Sequence, residues 1–203
     1  MPPRRLLILF AHPALHKSRV NQLLLSSVES LSGVTINDLY ESYPNFHVNV
    51  AREQALLLEH DVIVFQHPFY WYSSPAILKQ WQDLVLEYGF AFGKNGTRLH
   101  GKLALTAIST GGPSSAYQRS GYNYFTVREL LAPFEQTARL CGMTYLPPFV
   151  VPGVLWMEDQ AELSAYGSVY RRALAALRDH TFDLSELMKL DTLNQAVDLL
   201  PAS

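Results

Sequence analysis

The stretch HPFYWYSSPAILKQWQDLVLEYGFAF, residues 67–92, joins a crowd of aromatic side chains to a pattern that reads as a helix. Ser74 suits an N-cap, whose hydroxyl accepts an orphan backbone N–H, and Pro75 suits the first helical position. Gly89 stands where a left-handed residue stops a helix. Ile77, Trp81, Leu84, Val85 and Tyr88 recur at three- and four-residue spacing and predict one buried face, with Lys79, Gln80, Gln82 and Asp83 mostly pointing elsewhere. The preceding run at 61–65, DVIVF, is short and continuously apolar, as expected of a parallel strand covered on both faces. Residues 66–73 therefore lie beyond the carboxyl end of that strand, where open α/β sheets bind their ligands.

Outward from this stretch, apolar runs alternate with helical patterns, the signature of an α/β domain with a parallel sheet. Strands are predicted at 6–11, 34–39, 61–65, 103–108 and 144–151, the last interrupted by Pro147-Pro148. Helices are predicted at 21–31, 51–59, 127–142 and 160–180. Residues 40–50 show no clear period. The segment 184–193 is weakly amphipathic, and composition leaves open whether the tail is a packed or dimer-swapped arm or a partly disordered end. Five strands with intervening helices predict a doubly wound three-layer sandwich.

Composition narrows the class. The 203 residues are most simply one domain, and a net charge of −2 supplies no basic field for nucleic acid or an anionic membrane. One cysteine, Cys141, excludes an internal disulfide and reads as a buried structural thiol. The opening MPPRRLLILFAHP is better read as a first strand than as a signal peptide, because its apolar run is short and His12-Pro13 follows. No run approaches the apolar length that crosses a bilayer.

In a doubly wound sheet the loops after strands one, three and four meet at the switch point. The first, residues 11–21, leads into a helix start, where free N–H groups, a positive dipole end and the donors His12, Ser18, Arg19 and Asn21 suit a phosphate. A plain cap by Ser18 with His12 bonded to the backbone is the alternative. The second, Pro68-Phe69-Tyr70-Trp71-Tyr72-Ser73, suits the floor for a flat aromatic ligand, or else a core lid or oligomer patch. The third, residues 109–117, carries Gly111-Gly112, which permit close backbone approach to a heterocycle's polar edge, or simply form a turn. There is no GxGxxG turn, no P-loop and no GxSxG elbow, so a Rossmann dinucleotide site, a triphosphatase and a serine hydrolase are disfavoured. His12 and His16 have metal-pair spacing but lack a partner cluster, and no metal site is expected.

The motifs AHP…SxxN at 11–21, HPxYWYSSPAILKxWxDxVLxxGFAF at 67–92 and STGG…Y at 109–117 together resemble the flavodoxin-like NAD(P)H:quinone oxidoreductases. LYESYPNF, REQALLLEHDVIVFQHP and LLxPFEQTARLCGM are similar to the ancillary reductase subunits of glutathione-regulated potassium-efflux systems. The resemblance implies a flavodoxin-like α/β/α fold, with a five-stranded parallel sheet in the order 2-1-3-4-5, over residues 1–181, followed by a tail at 182–203. It implies bound FMN rather than FAD, because the longer C-terminal region of the larger FAD-binding members is lacking. It further implies NAD(P)H as donor, a quinone or similar electrophile as acceptor in a ping-pong reaction, and a cytoplasmic homodimer. A membrane potassium-efflux transporter is an implied partner, with a purely regulatory role as the alternative function. By position, His12, Ser18, Arg19, Val20 and Asn21 hold the flavin phosphate side, and Pro68, Tyr70, Trp71, Tyr72 and Ser73 line the isoalloxazine. Ser109, Thr110, Gly111 and Gly112 bond its pyrimidine edge, with Tyr117 near N1–O2. Where better-known members pair that tyrosine with a histidine, this chain has Tyr122 and Asn123, which makes Asn123 the candidate companion of Tyr117.

Overall fold

The computed structural model describes residues 1–200. Its centre is one parallel sheet built from β1 (Leu6–Phe10), β2 (Val34–Asp38), β3 (Val62–Pro68), β4 (Leu103–Ser109), β5 (Thr144–Tyr145) and β6 (Phe149–Val151). The order is β2-β1-β3-β4-β5, with β6 also paired to β4. The sequence reading of a flavodoxin-like order therefore holds, with the fifth position split. Leu103 and Ala104 pair with Thr144 and Tyr145, and residues 107–109 pair with 149–151. Pro147 and Pro148 have no N–H to donate, so the ladder breaks across them.

Both faces of the sheet are covered, which explains the uninterrupted apolar run of β1. Leu6, Ile8 and Phe10 enter one core, beneath α1 (Arg19–Glu29) and α7 (Gln160–Arg178); Leu7, Leu9 and Ala11 enter the other. That second core lies under α3 (Val50–Glu59), α4 (Ala76–Val85) and α6 (Ala132–Leu140). Short helices α2 (Leu39–Ser42), α5 (Val127–Leu130) and α8 (Leu184–Leu187) complete the set.

Local chemistry corrects several expectations. Helix α4 begins at Ala76, one residue late, because Pro75 takes an extended ψ of 147° and its carbonyl accepts from Leu78 N–H. Ser74 makes no cap. The helix stops at Val85, whose carbonyl is taken by the Gln54 side chain at 3.1 Å. Gly89 does have a left-handed φ of +83°, but in the following turn, where its N–H bonds Phe92 O. Tyr88, beyond the helix end, and Leu84 consequently face solvent, and the buried stripe is Ile77, Leu78, Trp81 and Val85. The predicted helix at 127–142 is two helices, because Pro133 starts a new first turn. The patternless segment 40–50 includes α2, capped by Asp38. Helix α1 starts at Arg19, not Asn21, with Ser18 as its cap.

The tail packs rather than hanging free as far as it is described. Leu187, Leu193, Ala196 and Val197 join the first core, and the Asn194 side chain bonds both N–H and C=O of Val150 at 2.9 Å. The expectation of a disordered end falls in part on residues 201–203, outside the described residues. Cys141 is buried, and desolvation pushes its thiol up to about 11, which suits an inert packing residue.

Glu53 locks three elements of the second core together. Fully buried on α3, it accepts from Tyr43 Oη at 2.6 Å, Asn37 Nδ2 at 2.7 Å and Trp81 Nε1 at 2.8 Å, and it pairs with Arg52. Trp81 belongs to α4, so this carboxylate fixes the helix that follows the aromatic loop. Glu53→Ala is expected to cost about 3–5 kcal/mol in denaturant unfolding, since three buried donors lose their acceptor. A loss below about 1 kcal/mol would show that water or repacking replaces it.

Candidate flavin site at the carboxyl edge of the sheet

Three loops leave the carboxyl ends of β1, β3 and β4 and meet above the switch between β1 and β3, as the topology requires. In the first loop, His12 is buried and its Nδ1 accepts from Ala14 N–H at 3.1 Å. Burial, with a smaller contribution from His16, lowers its pKa, so the ring is neutral and Nε2 carries the proton. Ser18 then caps α1, its hydroxyl oxygen accepting from Asn21 N–H at 3.2 Å and Asn21 Nδ2 at 3.0 Å. The first-turn N–H groups of Arg19 and Val20 have no intrahelical acceptor and face an anion-friendly dipole end. Val20's side chain is buried in the core, so only its backbone is available. The Arg19 guanidinium bonds Gln160 at 3.1 Å and is exposed.

The second loop is strained. Residues 70–72 form a single 3-10 turn in which Trp71 and Tyr72 have φ of +50° and +61°. Each such non-glycine residue costs on the order of 1–3 kcal/mol, and such strain clusters at functional sites. Trp71 is 93 % exposed, which rejects the core-lid alternative for that side chain; Tyr70 and Tyr72 are about half exposed. Pro68 ends β3 in the buried layer, and Ser73 closes the turn on Tyr70 O. Immediately below, His67 is fully buried, stacked on Phe134, and held neutral, with a pKa pushed down to about 4 by desolvation.

The third loop is held rigidly. Thr110 N–H bonds Val151 O, its hydroxyl bonds Gly112 O at 2.8 Å, and Gly153 N–H also bonds Gly112 O. A Cβ at Gly111 would stand 3.2 Å from Leu155, and one at Gly112 would stand 3.3 Å from the Tyr117 ring. The paired glycines thus leave backbone open where side chains would fill it. Burial raises the Tyr117 pKa, so the phenol keeps its proton at neutral pH.

Specific contacts bring the loops together. Asn21 Nδ2 donates to Ser109 Oγ at 3.0 Å, and Phe69 N–H donates to Ser109 O at 2.8 Å. The His12 and Tyr70 rings meet edge-on at 6.0 Å, and Phe69 lies 6.3 Å from Tyr117. Asn123 is placed beside the aromatic loop, its Oδ1 accepting from Tyr72 Oη at 3.0 Å. A cleft of about 530 Å³ opens between Tyr72, Gly112, Tyr117, Tyr122, Asn123 and Trp156. The sequence alone placed neither Leu155 nor Trp156 at the site. Both are well exposed, and the apolar run Val154-Leu155-Trp156 directly after the Val-Pro-Gly turn was the available signal. A larger cavity of about 600 Å³ lies beyond Tyr117, walled by Arg128, Tyr166 and the tail. Neither the first nor the second loop reaches it.

Trp71→Gly removes an exposed ring and relieves a left-handed φ. Stability is expected to stay equal to wild type or rise by about 1 kcal/mol in denaturant unfolding. A loss above about 2 kcal/mol would mean that Trp71 is packed rather than presented.

The chain matches the model of the flavodoxin-like fold family over residues 4–174. It is 45 % identical over 175 residues to the glutathione-regulated potassium-efflux system ancillary protein KefG of Escherichia coli, covering 85 % of this chain and 94 % of that one. Among solved structures, general stress protein 14 of Treponema denticola in complex with FMN is 37 % identical, with a TM-score of 0.81 and coverage of 85 % and 99 %. An NADPH-quinone reductase from P. pentosaceus is 36 % identical, with a TM-score of 0.76 and coverage of 83 % and 96 %. With its sheet order, its three convergent loops and these likenesses, the chain belongs to the flavodoxin-like family that includes such oxidoreductases and ancillary subunits.

Proposed function

We propose that this protein is an FMN-dependent NAD(P)H:quinone oxidoreductase. The observation that carries the reading is the junction at Ser109, which holds an anion-binding helix start, an exposed aromatic turn and a glycine-opened backbone edge around one site. Those three surfaces match the phosphate, the ring face and the polar ring edge of a flavin, and related chains are named for FMN and for NADPH-quinone reduction. Bound FMN supplies two-electron hydride chemistry between a nicotinamide donor and a quinone.

The residues divide that work. The N–H groups of Arg19 and Val20, the Ser18 hydroxyl and the neutral His12 Nε2–H hold the phosphate, with Asn21 orienting Ser18. Pro68, Tyr70, Trp71, Tyr72 and Ser73 form the wall beside the rings. Ser109, Thr110, Gly111 and Gly112 offer backbone and hydroxyl partners to the polar edge, where the Tyr117 phenol holds a proton against developing negative charge. Asn123 fixes Tyr72 and is the polar companion of Tyr117 on the cleft wall. A reaction in which donor and acceptor use one cleft in turn gives the ping-pong order.

The exposed Tyr122, Tyr124, Phe125 and Trp156 border the same cleft region and suit burial against a second copy, so the working form is a homodimer. Among the described residues no helix is long and apolar enough to cross a membrane. The proposed setting is the cytoplasm, with membrane association only through a partner. The likeness to KefG favours a second reading, an ancillary subunit of a potassium-efflux transporter. Potassium efflux that still requires this chain after Trp71→Ala and Gly111→Val would assign it that role independently of turnover.

With menadione as the probe, NADH or NADPH oxidation by the purified protein is expected to give parallel double-reciprocal lines. Tyr117→Phe is expected to lower kcat by about 10²-fold with flavin content unchanged. No pyridine-nucleotide oxidation by the flavin-reconstituted protein would contradict the proposal.

A further inference from the structure

Three buried side-chain atoms among the described residues lack a hydrogen-bond partner: Asn21 Oδ1, Gln66 Nε2 and His67 Nε2. The third follows from tautomer chemistry. His67 Nδ1–H donates to Pro68 O at 2.9 Å, which leaves only a lone pair on Nε2. The other two are complementary, one an amide donor and one an amide acceptor, on side chains 0 % and 1 % exposed.

They lie on the same face of the sheet. Gln66 Oε1 accepts from Tyr170 Oη of α7 at 2.9 Å, and Asn21 belongs to α1, which packs beside α7. Gln66 is in register with Ala107, and Ser109, two residues further along β4, holds Asn21 Nδ2. Gln66 therefore stands on the neighbouring strand one diagonal step from the residue that holds Asn21. A buried polar atom left alone costs about 1–3 kcal/mol, and one water with partners of both kinds removes the cost at each end.

The orientation of the Asn21 amide has a chemical consequence. Ser18 Oγ accepts both Asn21 N–H and Asn21 Nδ2–H, so its lone pairs are used and its hydroxyl hydrogen is free to donate outward. A flipped Asn21 amide would present Oδ1 instead, and Ser18 would spend its hydrogen inward. We propose that Gln66 is a positioning residue for the phosphate end of the site. One ordered water, accepting from Gln66 Nε2 and donating to Asn21 Oδ1, fixes the Asn21 amide so that Ser18 donates to an anion. Tyr170 in turn orients Gln66. The inference rests on the flavin reading and adds to it a buried relay running from the α7 core to the phosphate loop.

Comparing FMN with riboflavin, which lacks the phosphate, isolates this effect. Apo protein of full length is titrated with each by flavin fluorescence quenching. Gln66→Leu is expected to weaken FMN about tenfold and riboflavin by less than about twofold. Tyr170→Phe, which keeps the ring packed on Phe149 at 4.8 Å, is expected to shift the same ratio about threefold, and it decides the matter if Gln66→Leu does not fold. Equal losses for both flavins, or an unchanged ratio, overturn the relay. A wild-type protein that binds flavin with no preference for FMN overturns the relay and leaves flavin binding standing; one that binds neither flavin overturns both.

Discussion

The hydrogen bonds that converge on Ser109 hold together loops from three strands that are distant in sequence. Its carbonyl takes the Phe69 N–H and its hydroxyl oxygen takes the Asn21 amide, so the end of β4 serves as the common anchor for the aromatic turn and the α1 start. A parallel sheet makes such an anchor possible because all its strands finish at one edge. Without it, the first loop and the aromatic turn would meet chiefly through the edge contact of His12 and Tyr70. The α1 start, the exposed aromatic turn and the glycine-opened backbone stay together only while this junction is intact.

Rigidity and strain are divided unequally around that anchor. The third loop is pinned by four hydrogen bonds involving Thr110 and Gly112, whereas Trp71 and Tyr72 occupy left-handed backbone states with their rings largely in solvent. The buried carboxylate of Glu53 supports the strained turn indirectly, since Trp81 fixes the helix that follows it. Titratable groups near the site are held uncharged by burial: His12 and His67 as neutral imidazoles, Tyr117 as a neutral phenol. Such groups donate and accept hydrogen bonds without placing fixed charge beside an aromatic ligand.

Much of this was legible in the sequence because the strands are short apolar runs and their loops carry residues that the core does not need. The doubly wound sandwich followed from that alternation, its strand order was implied by the family resemblance, and the grouping of residues 11–21, 68–73 and 109–117 followed from topology. Boundaries were less legible where two local rules competed. Ser74 and Pro75 read as cap and first helical residue, but Pro75 settled as the cap, and Pro133 divided a helix that apolar periodicity ran together. Tyr88 kept the period of a buried stripe past the end of the helix, and Leu84 falls at the exposed edge of that stripe. The relay through Gln66 was invisible in sequence, because a glutamine in an apolar strand gives no sign of which buried groups it will meet.

The absorption spectrum of the purified protein, with released cofactor identified by mass, is the most direct test of flavin binding at this junction. Flavin bands near those of free FMN, accompanied by the mass of FMN, are the expected result. A colourless protein that takes up neither FMN nor FAD on reconstitution would contradict it, leaving the convergence at Ser109 as a structural device without a flavin to hold.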